Sequence, residues 1–210
     1  MFITYCPECG ARLVRDEGEA AHRCPNDTHC PPQIKGRIEH FISRKAMNIM
    51  TLGPETIDEY FSRQLIHNIA DLYTLTPMQI TGGNTNRMVS AQKVVSSIRE
   101  SVSVPFERVL FALGIRMVGE TTAKILARNF KSIDALMAAK VEELTTIEGV
   151  GNTKAENVVA YFQNSDNRDI IERLRAFGLQ MSLSEQQLTL QGDALAGKSI
   201  VISGVFTHHS

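Results

Sequence analysis

Ala91, Ala123 and Ala155 lie 32 residues apart, and Ile57 lies 34 residues before the first of them. Val94 and Val95 follow Ala91, Val158 and Val159 follow Ala155, and Tyr60 and Phe61 follow Ile57. Apolar residues at i, i+3 and i+4 make one face of a helix. In the fourth copy, Leu144 and Ile147 supply the face of a shorter helix upstream, and the next helix starts near Asn152. Helix, turn and helix therefore recur at a near-constant period. One such unit cannot bury its apolar stripe alone, so four in register specify a stacked, mainly α domain.

The turns between the helices are unequal. They read Thr51-Leu52-Gly53, Thr85-Asn86-Arg87, Met117-Val118-Gly119 and Gly149-Val150-Gly151. Glycine costs backbone entropy, so its recurrence needs a return. A Gly-x-Gly hairpin can present backbone N–H groups with no side chain in the way, at the positive end of the following helix. That is an anion cradle suited to a phosphate. Phosphate contacts ignore base identity. Lys154 and Arg116 stand where they can add ionic contacts, and Asn152 and Thr153 offer side-chain donors. The candidate DNA-binding set is Gly53, Arg116, Gly119, Gly149, Gly151, Asn152, Thr153 and Lys154. A valine at Gly149 is expected to block phosphate approach more than it disturbs folding. The competing reading is a helical bundle whose glycines only cap helices. The second copy has neither glycine and reads as a packing hairpin, although Arg87 keeps a cation there. A dinucleotide fingerprint is not met, since no strand leads into Gly149 and no third glycine follows.

All four cysteines fall between positions 6 and 30, with none afterwards. Cys6 and Cys9 form a C-x2-C pair; Cys24 and Cys30 follow as C-x5-C. Four thiolates close a structural zinc site and leave no open position for catalysis. Pro7 and Gly10 shape the first knuckle. Two disulfides, or His22 or His29 replacing one thiolate, are the alternatives. The N-terminus lacks the basic and apolar regions of a signal peptide, which disfavours disulfides and places the chain in the cytoplasm. The chain has no 18-residue apolar run, so no membrane span is expected. A net charge of −1 excludes a general polycation, so nucleic acid must be met through local groups.

Ile34, Ile38, Phe41 and Ile42 recur at helical spacing after the cysteines, with Lys35, Arg37, Arg44 and Lys45 on other faces. Those cations read equally as phosphate contacts or as a solvated face. Residues 80–86, "ITGGNTN", read as a loop. Near the end, Ile200-Val201-Ile202 is a buried-strand run that starts another domain.

"CPECG", "LGIRMVGETTAKILA" and "LAGKSIVISGVF", in that order, resemble the C-terminal part of bacterial NAD-dependent DNA ligases. The resemblance covers nearly the whole chain. It implies the end of an OB-fold domain at 1–5, a four-cysteine zinc finger at 6–32 and four helix-hairpin-helix repeats at 33–182. A linker at 183–194 and a truncated, strand-containing start of a BRCT domain at 195–210 complete it. It further implies zinc on Cys6, Cys9, Cys24 and Cys30, and minor-groove contacts from the hairpins at Gly53, Gly119, Gly149 and Gly151. The family seals nicks in duplex DNA through a lysine adenylated by NAD, with magnesium. That lysine lies in K-x-D-G, which is absent here, and Lys154 in "TKAE" does not replace it. No catalytic residue is therefore carried over; NAD and Mg2+ belong outside this chain. The implied partners are nicked duplex DNA and the OB-fold and adenylation domains of the same parent, as a monomer and without a membrane. A non-catalytic recombination or repair mediator, or a structural zinc-bundled module that binds another protein, would share the finger and the helices.

Overall fold

The computed structural model describes residues 3–15, 20–184 and 187. Among them ten α-helices follow one another: α1 (Pro31–Ile42), α2 (Pro54–Ser62), α3 (Pro77–Thr81), α4 (Met88–Glu100) and α5 (Phe106–Ala112), then α6 (Glu120–Phe130), α7 (Ile133–Ala138), α8 (Val141–Thr145), α9 (Asn152–Gln163) and α10 (Ser165–Ala176). Short 3-10 turns at Ile69–Thr74, Thr85–Arg87 and Ser101–Ser103 link them. The β-pairings among the described residues are three isolated antiparallel bridges, Tyr5 with Arg12, Val14 with Arg23 and Ser132 with Ser182.

Each expected repeat is a packed helix pair: α1 with α2, α3 with α4, α5 with α6, and α8 with α9. The residues that set the period, Ile57, Ala91, Ala123 and Ala155, are all buried. They and the apolar residues one turn on form the seam of each pair. One contiguous apolar cluster, including Ile38, Phe41, Phe106, Leu110, Phe162 and Leu174, runs from α1 to Leu183.

Two helices outside the repeats, α7 and α10, are begun by side-chain caps. Ser132 accepts the N–H of Ala135, and Asn164 accepts those of Asp166 and Asn167. Such caps satisfy donors that a helix leaves open. The chain then returns past α7: Ile133 N–H donates to Met181 O and Leu183 N–H to Lys131 O, both at 2.8 Å. Leu183 is buried, so the helical domain passes the expected limit at 182. The Gln187 amide reaches the Glu107 carboxylate. The rest of the expected linker, and the strand expected at 200–202, lie outside the described residues. At the other end, Leu13 N–H donates to Thr4 O at 2.9 Å beside the Tyr5–Arg12 bridge. Residues 4 and 5 thus form the first rung of the finger, where the tail of a preceding domain was expected.

The "ITGGNTN" stretch begins inside a helix. Thr76 and Gln79 make a reciprocal capping box for α3, which ends after Thr81 on Gly82 in the left-handed conformation.

Arg37 is half-buried between the finger and the helices. Its Nη2 donates to Asn167 Oδ1 at 2.9 Å and Tyr161 OH at 3.4 Å. Its Nη1 faces the Asp27 carboxylate at 3.7 Å, and its guanidinium lies over the Tyr161 ring. One side chain on α1 thereby ties the finger to α9 and α10. Lys35 pairs with Asp58 at 2.7 Å and Lys45 with Glu120 at 3.5 Å. Lys35, Arg37 and Lys45 thus face acidic partners within the protein, which neither reading of these cations anticipates. Arg37→Ala leaves the buried Asn167 oxygen without its donor, a loss of about 1–3 kcal/mol. For a chain of this size that lowers Tm by about 2–4 °C per kcal/mol. Thermal melts followed by circular dichroism check this; Arg37→Lys, which lacks the planar fork, is expected to recover only part.

Candidate nucleic-acid interface and metal centre

Three hairpins share one backbone geometry. Gly53, Gly119 and Gly151 are the N-caps of α2, α6 and α9, in extended conformations (φ −132, −80 and −78°). Their carbonyls accept the N–H of Ile57, Ala123 and Ala155 at 3.0, 2.9 and 3.0 Å. The residues before them, Leu52, Val118 and Val150, donate back to Ile49, Ile115 and Ile147. None of the three caps has a side-chain acceptor for the first-turn N–H groups.

These glycines are not demanded by the protein itself. None of the three has positive φ, and a Cβ on any of them meets nothing within 4 Å. A glycine required by neither packing nor backbone leaves room for something approaching from outside. The second hairpin differs. Arg87 is helical (φ −94, ψ −1°), and the Asn84 side chain takes the N–H of Asn86 at 3.0 Å. The Arg87 guanidinium faces both Glu59 oxygens at 3.3–3.4 Å, which holds Glu59 below the ordinary carboxylate range. That hairpin is closed, as its missing glycines imply.

Gly149 serves the turn. Its φ is +85°, and an added Cβ lies 3.6 Å from Ile125 Cδ1. A valine there is strained whatever binds outside. The expectation that Gly149→Val disturbs binding more than folding is therefore corrected, since a valine there strains the turn itself, whereas Gly151 has negative φ and open space around a Cβ. In the third hairpin Met117 occupies the place of Gly149, also with positive φ (60°).

Around the fourth hairpin, the Lys154 ammonium donates to Gly149 O at 2.9 Å, which fixes a cation on the turn. Asn152 Nδ2 donates to Glu156 at 2.7 Å, and Thr153 is exposed. Arg116 lines a cleft between α1 and the third hairpin with Gly36 and His40. The first turn of α9 has no acidic residue, whereas α2 has Glu55 and α6 has Glu120. Lys124, 2.8 Å away, holds the Glu120 carboxyl below its usual range. A carboxylate at a helix start offsets the positive end of the helix, and of these three helices only α9 starts without one. Arg108 ties the first hairpin to the third by donating to the carbonyls of Arg44 (2.6 Å) and Lys45 (3.1 Å).

The four cysteine sulfurs lie within 4.8 Å of one another. Sγ–Sγ is 3.9 Å for Cys6–Cys30 and 3.5 Å for Cys9–Cys24. A tetrahedron with Zn–S near 2.3 Å has edges of about 3.8 Å, whereas a disulfide needs about 2.05 Å. The donor set fits one zinc ion and no disulfide. The first knuckle closes with Gly10 N–H on Cys6 O (2.9 Å) and Gly10 at φ +69°. Cys30 is the N-cap of α1, so the fourth ligand is set by the start of the helical domain. The Ala11 backbone draws the Cys9 thiol down to about 6, while burial pushes Cys30 up to about 12. Neither histidine joins the cluster, and His29 Nδ1 pairs with Thr28.

Two family models match the chain. The helix-hairpin-helix motif covers residues 108–171, and the NAD-dependent DNA ligase C4 zinc finger domain covers residues 5–31. The DNA ligases of Phocaeicola vulgatus and Bacteroides fragilis are each 56% identical over the full chain, which spans 31% of their length. That of Porphyromonas gingivalis is 46% identical over the same share. The chain belongs to the NAD-dependent DNA ligase family. It spans about a third of the length of those DNA ligases. Among the described residues, no helix is long and apolar enough to cross a membrane. What the sequence did not reveal in this ligase segment is the Arg37–Asn167 latch, whose partners lie 130 residues apart, and the left-handed Met117.

Proposed function

We propose that this chain is the DNA-clamping part of an enzyme that seals nicks in duplex DNA during replication and repair. The glycine hairpins hold backbone phosphates along the minor groove without reading bases, and the zinc finger fixes the helical domain relative to a preceding OB-fold. The observation that supports this best is the set of glycine caps at 53, 119 and 151, with open first-turn N–H groups and empty space where a Cβ would stand. Gly149, Arg116, Asn152, Thr153 and Lys154 complete the surface. Adenylation by NAD, with Mg2+, belongs to another domain of the parent, which acts as a monomer in the bacterial cytoplasm.

Fluorescence anisotropy with nicked, intact and single-stranded DNA across a salt series tests this. Salt-sensitive duplex binding without sequence preference is expected, with log K falling linearly in log salt. No duplex binding at low salt favours a structural module. Sealing recovered when the adenylation and OB-fold domains are supplied separates a ligase from a recombination mediator.

Glu120→Gln removes the anion from the third cradle. It is expected to tighten duplex binding by about two- to fivefold at low salt, an effect screened away near 1 M. Titrations at two salt concentrations check this.

A further inference from the structure

We infer that Met117, at the tip of the third hairpin, is a positioning residue that lies against the deoxyribose wall of the minor groove beside the phosphate held at Gly119. This rests on the DNA-binding reading above.

Met117 is among the few large apolar side chains left open to solvent, at 49% exposure. It also sits in left-handed backbone, φ +60°. Three other non-glycine residues among those described have positive φ, and each has an ordinary reason. Gln64 and Lys131 follow the ends of α2 and α6, where a left-handed residue stops the helix. Asn48 is of a type that tolerates the region. Met117 has neither reason. The equivalent place in the fourth hairpin holds Gly149, which adopts the same turn at no steric cost. The chain thus keeps a bulky, half-exposed apolar side chain where glycine is the easier choice.

Its location gives the side chain a use. Met117 precedes the Gly119 cap by two residues, so it projects from the same hairpin that presents the open N–H groups of α6. A phosphate on that cap brings the neighbouring sugars to the hairpin tip. The groove edge there is lined by sugar C–H groups, and a flexible, polarisable thioether adapts to such a surface. Minor-groove proteins use apolar side chains in this way, methionine among them.

An apolar contact releases no counterions, so it is separable from the phosphate contacts. The test compares the zinc-loaded 210-residue chain with Met117→Gly and Met117→Gln on a nicked duplex, across a salt series. Met117→Gly is expected to keep or raise Tm, because it relieves the left-handed methionine. It is expected to weaken Kd by about tenfold at every salt concentration, as burial of half a methionine side chain implies, with an unchanged salt slope. Met117→Gln keeps the length and loses the apolar surface, so it should weaken binding similarly. Wild-type affinity in both variants overturns the inference. So does a salt slope reduced by about one, which marks a phosphate contact, or a lowered Tm in Met117→Gly, which marks a packing role. Absence of duplex binding by the unsubstituted chain removes the DNA reading and this inference together; the other outcomes bear on Met117 alone.

Discussion

Stripping the metal with a strong chelator is expected to unfold the finger, residues 3–15 and 20–30, and leave the ten helices standing. The finger has almost nothing else to hold it. Between residues 3 and 30 only Cys6 and Cys30 are buried apolar groups among those described, and the pairing there amounts to two isolated bridges. Structural zinc in finger peptides contributes an apparent 10–16 kcal/mol or so, most of the folding free energy of such a module. The helical domain begins at α1 and has its own cluster, from Ile38 to Leu183. Hydrogen exchange should therefore show protection lost at Cys6, Gly10, Val14, Arg23 and Cys30, whose N–H groups are bonded within the finger, while far-UV circular dichroism keeps most of its helical signal. Elemental analysis should give one zinc per chain. Cys30→Ser should do the same to the finger yet spare α1, because serine is itself a good N-cap. A metal-free chain that keeps those amides protected would contradict the four-thiolate site. Loss of the helices along with the finger would mean that the Arg37 latch makes the two parts one cooperative unit.

The repeat was legible because its signals are local. The period-setting residues are buried, glycine caps sit where three of the four second helices start, and α9 begins at Asn152 as its periodicity implies. The closed second hairpin was legible for the same reason, since Thr85 and Arg87 replace both glycines. The cysteine cluster was legible because metal ligation constrains spacing. What stayed hidden is set by contacts between distant residues. Arg37 looked like one more surface cation, and only the placement of the buried Tyr161 and Asn167 against α1 makes it a latch. Leu183 read as linker because its burial depends on a strand-like return to Lys131. Gly149 and Gly151 looked alike in sequence, yet one needs positive φ and the other does not. Spacing alone carries no sign of φ.

That last distinction gives the second large effect. Gly151→Val is expected to abolish most of the DNA affinity of the fourth hairpin while leaving the fold nearly untouched. At φ −78°, ψ 171° a β-branched residue is at ease, and its Cβ meets nothing within 4 Å. Losing glycine at an N-cap costs at most about 1 kcal/mol, since aliphatic residues cap poorly. Outside, the new side chain stands over the N–H groups of Asn152 and Thr153, at the start of the one open cradle without an acidic first turn. Each charge-assisted hydrogen bond to phosphate is worth about 1.5–3 kcal/mol, so losing one weakens binding by about 10- to 150-fold at low salt, and losing two by up to on the order of 10⁴-fold. The salt slope should change by less than one, because the lost donors are neutral N–H groups that carry only the partial charge of the helix start. Gly119→Val should act in the same direction but less, since Glu120 already opposes an anion there. Gly149→Val should lower Tm as well as affinity, because its backbone is left-handed. Anisotropy titrations beside thermal melts of the three variants distinguish these outcomes. Equal loss of stability in all three would mean that the glycines serve the turns alone. A folded Gly151→Val that binds duplex like the unsubstituted chain would remove the fourth hairpin from the interface.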